Sequence, residues 1–229
     1  MQVTYLHHSG FSVETETKVL VFDAYTEGGE KDYFDPAAYL DKDIFVFVSH
    51  AHEDHYDRRI LEWAQLPNVH YVLSHDVRID ADLAGRVLFV EPHRSYEWEG
   101  IVIQTLQSND EGVAFLVKAD GRTIYHAGDL NWWHWNGEPE AFLADIKKSY
   151  TTEINRLKGE TITVAFVPAD LRLQDKYFWA VDCFLKTVGA KKLFPMHFWG
   201  RFEVCDFLRE LGYGETIVKI TQENEKFEI

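Results

Sequence analysis

Cysteine is almost absent from these 229 residues. Only Cys183 and Cys205 occur. Both fall in stretches that read as amphipathic helices, so buried free thiols are expected and a disulfide-stapled scaffold is excluded. Long apolar runs are missing too: no stretch of about 18 apolar residues offers a membrane span. The start lacks a basic, apolar leader with a small-residue cleavage site, so a soluble, cytoplasmic protein is expected. Basic side chains are scarce, 23 Lys and Arg against 38 Asp and Glu, for a net charge of −15. Phosphate backbones are held chiefly through Lys and Arg, and the densest basic pairs here are Lys147-Lys148 and Lys191-Lys192. Nucleic acid and anionic membranes are therefore disfavoured as partners. Repeats, low-complexity runs and Pro/Gly/Ser linkers are also lacking. Residues 1–229 are expected to form a single domain, large enough to bury roughly 70–75% of the surface of its unfolded chain.

The chain does contain strand patterns. Gln2–Leu6, Phe11–Thr15 and Lys18–Phe22 are short, β-branched and aromatic, with turn residues between them. Asp43–Val48 is apolar after its first residue, as a strand covered on both faces should be. His70–Leu73 and Val87–Val90 follow, with a helical turn expected near Val77–Leu83. Ser95–Trp98, Ile101–Leu106, Val113–Lys118 and Thr123–His126 are joined by tight turns at Glu99-Gly100 and Asp120-Gly121. Asp35-Pro36 reads as a helix start running through Leu40, and Asp57–Leu66 as a helix stopped by Pro67. A long helix is expected from Glu138 to about Leu157. Val164–Val167 and Lys192–Phe194 read as strands, Lys176–Thr187 and Phe202–Leu211 as helices, and Ile217–Ile220 and Phe227–Ile229 as edge strands. The order predicts an α+β fold of two mixed sheets packed face to face, with helices on the outer faces.

The most informative stretch is His50-Ala51-His52-Glu53-Asp54-His55, directly after the apolar run Ile44–Val48. Three imidazoles and a carboxylate at a strand's end suit a divalent, zinc-like ion that must also handle water. His50 and His52, two apart in an extended tip, point the same way. Asp54 and His55 come later and can turn toward a second ion nearby.

The pattern H-x-H-x-D-H after a hydrophobic strand resembles the signature of the metallo-β-lactamase-fold hydrolases. Other segments fall in that family's order: Asp23 after Lys18–Phe22, Gly128-Asp129 after Thr123–His126, and His197 in Phe194-Pro195-Met196-His197. The opening Val3–Phe11 is similar to the subgroup containing ascorbate-phosphate lactonase and related uncharacterised hydrolases. The resemblance implies an αββα sandwich and two divalent ions, zinc first, with manganese or iron as alternatives. It implies ligands from His50, His52, Asp54, His55, Asp129 and His197, with Asp129 between the two ions. One segment departs from the pattern. Where the family has a His two residues and a Gly before a strand, this chain has Asn109-Asp110-Glu111-Gly112. An amide oxygen is a poor zinc ligand and a carboxylate a fair one, so Asp110 is the candidate replacement. The alternative is that Asp110 only orders its loop.

Other residues remain open between roles. Asp23 and Asn109 are expected behind the ligands or in the substrate pocket. His8 either lies near the ions or caps its turn, and His126 either supports a ligand or sits in the core. Asp170 after Val164–Pro168 is equally divided between supporting the site and capping a turn. Trp132-Trp133-His134-Trp135 holds three indoles within four residues. Trp133 would line a pocket or anchor the following helix, and Trp199 after His197 would add to the same wall. The expected activity is hydrolysis of an ester, lactone or phosphodiester in a small molecule by a metal-activated water, with Asp54 handling the proton. A metal-keeping member without turnover and a nuclease are the alternatives, and self-association is left open.

Overall fold

The computed structural model describes residues 1–25, 33–83 and 85–229. The chain opens as an antiparallel meander of β1 (Gln2–Tyr5), β2 (Phe11–Glu14) and β3 (Lys18–Phe22). To this β4 (Asp43–Val48), β5 (Val69–Ser74) and β6 (Val87–Val90) add in parallel. A second sheet starts with antiparallel β7 (Ser95–Trp98), β8 (Ile101–Gln107), β9 (Val113–Ala119) and β10 (Arg122–His126). It is completed by parallel β11 (Val164–Pro168) and β12 (Lys192–Met196). Finally β13 (Lys226–Glu228) returns to the first sheet as its edge beside β1.

Side-chain alternation decides what each face buries. In β4, Phe45 and Phe47 enter the core between the sheets, while Ile44, Val46 and Val48 enter a second core on the outer face. That double burial is why the run carries no polar residue after Asp43. Phenylalanines from both sheets meet in the middle: Phe47 lies 5.2 Å from Phe115, and Phe11 lies 4.2 Å from Phe166.

The two outer layers differ. The second sheet is covered by α1 (Glu140–Asn155), α2 (Trp179–Thr187) and α3 (Val204–Leu208). Tyr125 of β10 stacks on Phe184 of α2 at 5.0 Å, and the Tyr150 hydroxyl of α1 donates to the Ala180 carbonyl. Over the first sheet the described cover is 3-10 helix only, Pro36–Tyr39 and Arg58–Gln65. Their starts follow the expected capping, with Asp35 accepting from Ala37 N and Asp57 from Arg59 N, each at 2.9 Å.

Several expectations need correction. Ile217–Ile220 is not a strand. Ile217 makes one isolated bridge to Leu193, and Ile217 and Ile220 are buried as plugs at the sheet's edge. No helix forms among the described residues of 77–83. The helix expected from Lys176 begins at Trp179, after a separate 3-10 turn Leu171–Lys176. The last helix keeps only five α-helical residues before widening at Arg209–Tyr213, where Gly212 takes φ 101°.

Parallel strands β3 and β4 in one sheet and β10, β11 and β12 in the other all end on one side of the molecule. Their carboxyl-end loops meet there, where open α/β sheets generally place ligands.

Candidate metal centre

Three imidazoles of the cluster are each aimed by a partner behind them. His55 Nδ1 donates to Asp23 Oδ2 at 2.7 Å, and His197 Nδ1 donates to Asp170 Oδ2 at 3.0 Å. The Ser49 hydroxyl donates to Asp23 Oδ2 at 2.6 Å, so His50 Nδ1, 2.9 Å from that hydroxyl, is its donor. With Nδ1 occupied in all three rings, Nε2 is left facing the centre, the arrangement a metal-ligating histidine needs. Asp23 is fully buried and also accepts from Ser49 N, so one carboxylate orients two of the rings.

Two groups of candidate ligand atoms result, each with its members within 4.8 Å of one another. One is His8, Asp54, His55 and His197; the other is His50, His52, Asp110 and Asp129. Asp129 stands between them. Its Oδ1 is 3.2 Å from His55 Nε2, and its Oδ2 is 3.6 Å from His197 Nε2 and 3.8 Å from His50 Nε2. His8 is therefore not a turn cap. Its Nε2 lies 3.3 Å from Asp54 Oδ2, and its ring packs 4.4 Å from that of His197.

The groups fit a metal. Buried polar atoms nearly always find a hydrogen-bond partner. Here His8 Nε2, His50 Nε2, His55 Nε2 and Asp129 Oδ1 are all buried without one, and all face the same small region. Imidazole nitrogens and carboxylate oxygens are the donor set of zinc and of neighbouring transition ions.

Charge is arranged to match. Burial pushes His8 and His50 down to about 4, so both rings are neutral near pH 7. Burial opposes charge on His55 and His197 as well, yet Asp129 and the carboxylates behind them outweigh it. His197 rises to about 9 and His55 well above its ordinary value. Asp129 is held well below the usual carboxylate range by those same two rings, against the effect of burial. Burial would raise Asp54, but His8 and His55 keep it low and ionised. Asp110, pushed up by burial and by Asp129, is the one site carboxylate shifted the other way.

Asn109 does not face the ligands. Its Nδ2 donates to the Asn131 carbonyl and to Ser149 Oγ, and its Oδ1 accepts from Asn131 N. The amide clamps the segment after Asp129 to α1, and the next residue, Asp110, turns toward His52 with Oδ2 3.9 Å from Nδ1. His126 lies behind the centre. Its Nε2 donates to the Ser9 carbonyl, and its Nδ1 accepts from Gly128 N, fixing the loops that carry His8 and Asp129.

A cavity of about 400 Å³ opens over the centre, lined by Asp54, Asn109, Asp110, Asp129 and His197 below and by aromatic residues above. The tryptophan triplet divides its work. Trp133 and Trp135 stack with planes 2° apart and line the cavity, and Trp133 Nε1 donates to the Asp129 carbonyl. Trp132 turns away to Trp179 and Tyr150, anchoring the helices. Two contributors escaped the sequence reading: Ser49 and Arg172. Ser49 is a lone polar residue closing an apolar strand, and Arg172 follows Asp170 by two, so both left a faint signal.

This fold and this cluster define the metallo-β-lactamase-fold class of metal-dependent hydrolases. The chain belongs to the family described as the beta-lactamase superfamily domain, whose match covers residues 2–156. It is 29% identical over 141 residues to a metal-dependent hydrolase of Pyrococcus abyssi, covering 56% of this chain and 61% of that one. It is 27% identical over 219 residues to a metal-dependent hydrolase of Methanocorpusculum labreanum, covering 86% of this chain and 83% of that one. Among solved structures, a metallo hydrolase from the archaeon Ignicoccus hospitalis shares the fold with a TM-score of 0.67 at 18% identity, covering 100% of this chain and 98% of that one.

Proposed function

We propose that this chain is a dinuclear hydrolase that cleaves an ester, lactone or phosphodiester bond in a small molecule. The observation that carries the reading is the convergence of His8 Nε2, His50 Nε2, His55 Nε2 and Asp129 Oδ1, all buried and unpartnered, beneath an open cavity. One ion would be held by His8, Asp54, His55 and His197, the other by His50, His52 and Asp110, with Asp129 shared. When bound, divalent ions of this kind polarise the bond under attack and make water a nucleophile near neutral pH.

The protein's own residues do the rest. Asp23 and Asp170 keep the rings oriented. Asp54 lines the cavity floor, and its carboxylate would take the proton from attacking water and pass it to the leaving group. Its low pKa makes it a transient acceptor only, since general bases work best when their pKa lies near the working pH. The first group, with three imidazoles, favours zinc; the second, with two carboxylates, also suits manganese or iron.

The test is metal content by elemental analysis, followed by turnover of a lactone, an aryl ester and a phosphodiester with zinc, manganese or iron added back. About two equivalents of metal with hydrolysis of at least one substrate class is the expected result. Retained metal without turnover of any of them would replace this reading with a metal-keeping role.

A further inference from the structure

The walls of the cavity are more specific than its floor. Trp133 and Trp135 form one parallel stack on one side, with Trp133 5.4 Å from His197. Opposite stands Trp199, half exposed, its ring 4.3 Å from His8. Phe142, also exposed, completes the rim. Exposed aromatics of this size at one mouth mark a binding surface more readily than a packing accident.

Trp199 is also held at a backbone cost. Its φ is 52°, the left-handed region in which a bulky side chain is an outlier, while Gly200 beside it takes φ 70°. Strain of this kind persists where the surroundings over-determine it, and it clusters at ligand clamps. The conformation sets the half-exposed indole beside the rings of His8 and His197.

Charge narrows the occupant. Apart from the histidine of the metal centre, Arg172 is the one cationic side chain lining the cavity among the described residues, and its charge is paired with Asp170. Its Nε donates to Asp170 Oδ2 at 2.8 Å. Its guanidinium also lies 5.6 Å from the Trp135 ring and 5.0 Å from the Trp199 ring. Arg172 thus bridges the two walls with its charge paired to Asp170, so the walls above the ligands are chiefly aromatic.

We propose that the cavity bordered by Trp133, Trp135, Phe142 and Trp199 takes an uncharged arene of the substrate beside the Arg172 bridge, so that the hydrolysed molecule is an aryl ester or an aromatic lactone. The substrate class rests on the hydrolase reading, but arene binding is measurable without turnover. The probe is phenylacetamide, compared with cyclohexylacetamide, which has similar bulk but no π face. Each is titrated into the metal-loaded protein by calorimetry or saturation-transfer NMR.

Stacking on indoles should make phenylacetamide bind about five-fold tighter than cyclohexylacetamide. Trp135→Ala and Trp199→Ala should each erase that preference, as Trp199 is half exposed and its loss leaves the core intact. Equal binding of the two amides, or a preference untouched by both substitutions, overturns the aromatic pocket and leaves the hydrolase reading standing. Arene-selective binding that depends on Trp135 and Trp199, in a protein that hydrolyses no ester, upholds the pocket and removes the hydrolase reading instead.

Discussion

Among the described residues Asp129 alone lies within 3.8 Å of Nε2 atoms from His50, His55 and His197. Asp129→Ala should therefore lower bound metal by at least one equivalent and abolish hydrolysis; unchanged metal content would sink the shared-ligand arrangement. Asp110 offers a finer test, because it belongs to one group only. Asp110→Ala should weaken the second ion about ten- to a hundred-fold while the first stays bound. Asp110→His should shift preference toward zinc. Metal affinity indifferent to both changes would reduce Asp110 to a loop residue. Protonation adds a third handle. His197 at about 9 is imidazolium at pH 7 in the metal-free protein, and Asp129 and Asp23 raise His55 in the same direction against the effect of burial. A ligand must shed its proton, so metal binding there should release at least about one proton, and affinity should climb as pH rises toward 9. His8 and His50, at about 4, contribute no such competition above pH 5. Calorimetry in buffers of different ionisation enthalpy counts the protons, and a count near zero would contradict the assignment.

At the scale of elements, the approach of β9 to β4 sets the geometry of the His loop. Val113 N donates to the Ser49 carbonyl at 2.9 Å. Gly112 permits this contact: its φ is +67°, and a Cβ there would stand 2.0 Å from Ser49 O and 2.6 Å from His50 Cβ. Gly112→Ala should destabilise the protein by about 3 kcal/mol and displace His50, seen as lower denaturation midpoint and lost metal together. A variant with wild-type stability and metal content would show that the loop has slack. The same contact shows what sequence could and could not give. The double-buried run Ile44–Val48 and the ligand string after it were legible, because strand burial and ligand chemistry are both local. Asn109 was misleading at first sight. Its partners Asn131 and Ser149 lie 22 and 40 residues away, so its clamping role has no local trace. The same holds for Ile217 and Ile220, whose apolar pattern reads as strand, whereas the neighbouring edge offers them burial with a single bridge at Ile217. His8 lies far along the chain from Asp54, and only the joining of β1–β2 to the His loop brings them together.

The whole molecule joins its two sheets at the metal centre. His8, Asp23, His50 and His55 come from the first sheet's loops, Asp129, Asp170 and His197 from the second's. His197 N also donates to the His8 carbonyl across the join. Ligands that bind only the folded state stabilise it by mass action, about 2.7 kcal/mol at a hundred times Kd. For a chain of this length each kcal/mol shifts the melting temperature by about 2–4 °C. Removing metal with a chelator should therefore lower Tm by about 5–10 °C, measured by scanning calorimetry; an unmoved Tm would mean that the centre does not hold the sheets together. Charge makes a separate expectation at this scale. Among the described residues no helix is long and apolar enough to cross a membrane. The surplus of 38 acidic over 23 basic side chains should leave the protein without salt-dependent affinity for duplex DNA. Left-handed backbone at His8, Asp23, His197 and Trp199 bears on ancestry as well as on mechanics. Drift under pressure for thermal hardiness alone would drain such positions toward glycine or asparagine. A lineage that retains all four together has been kept for its chemistry, and one that loses them survives as a scaffold.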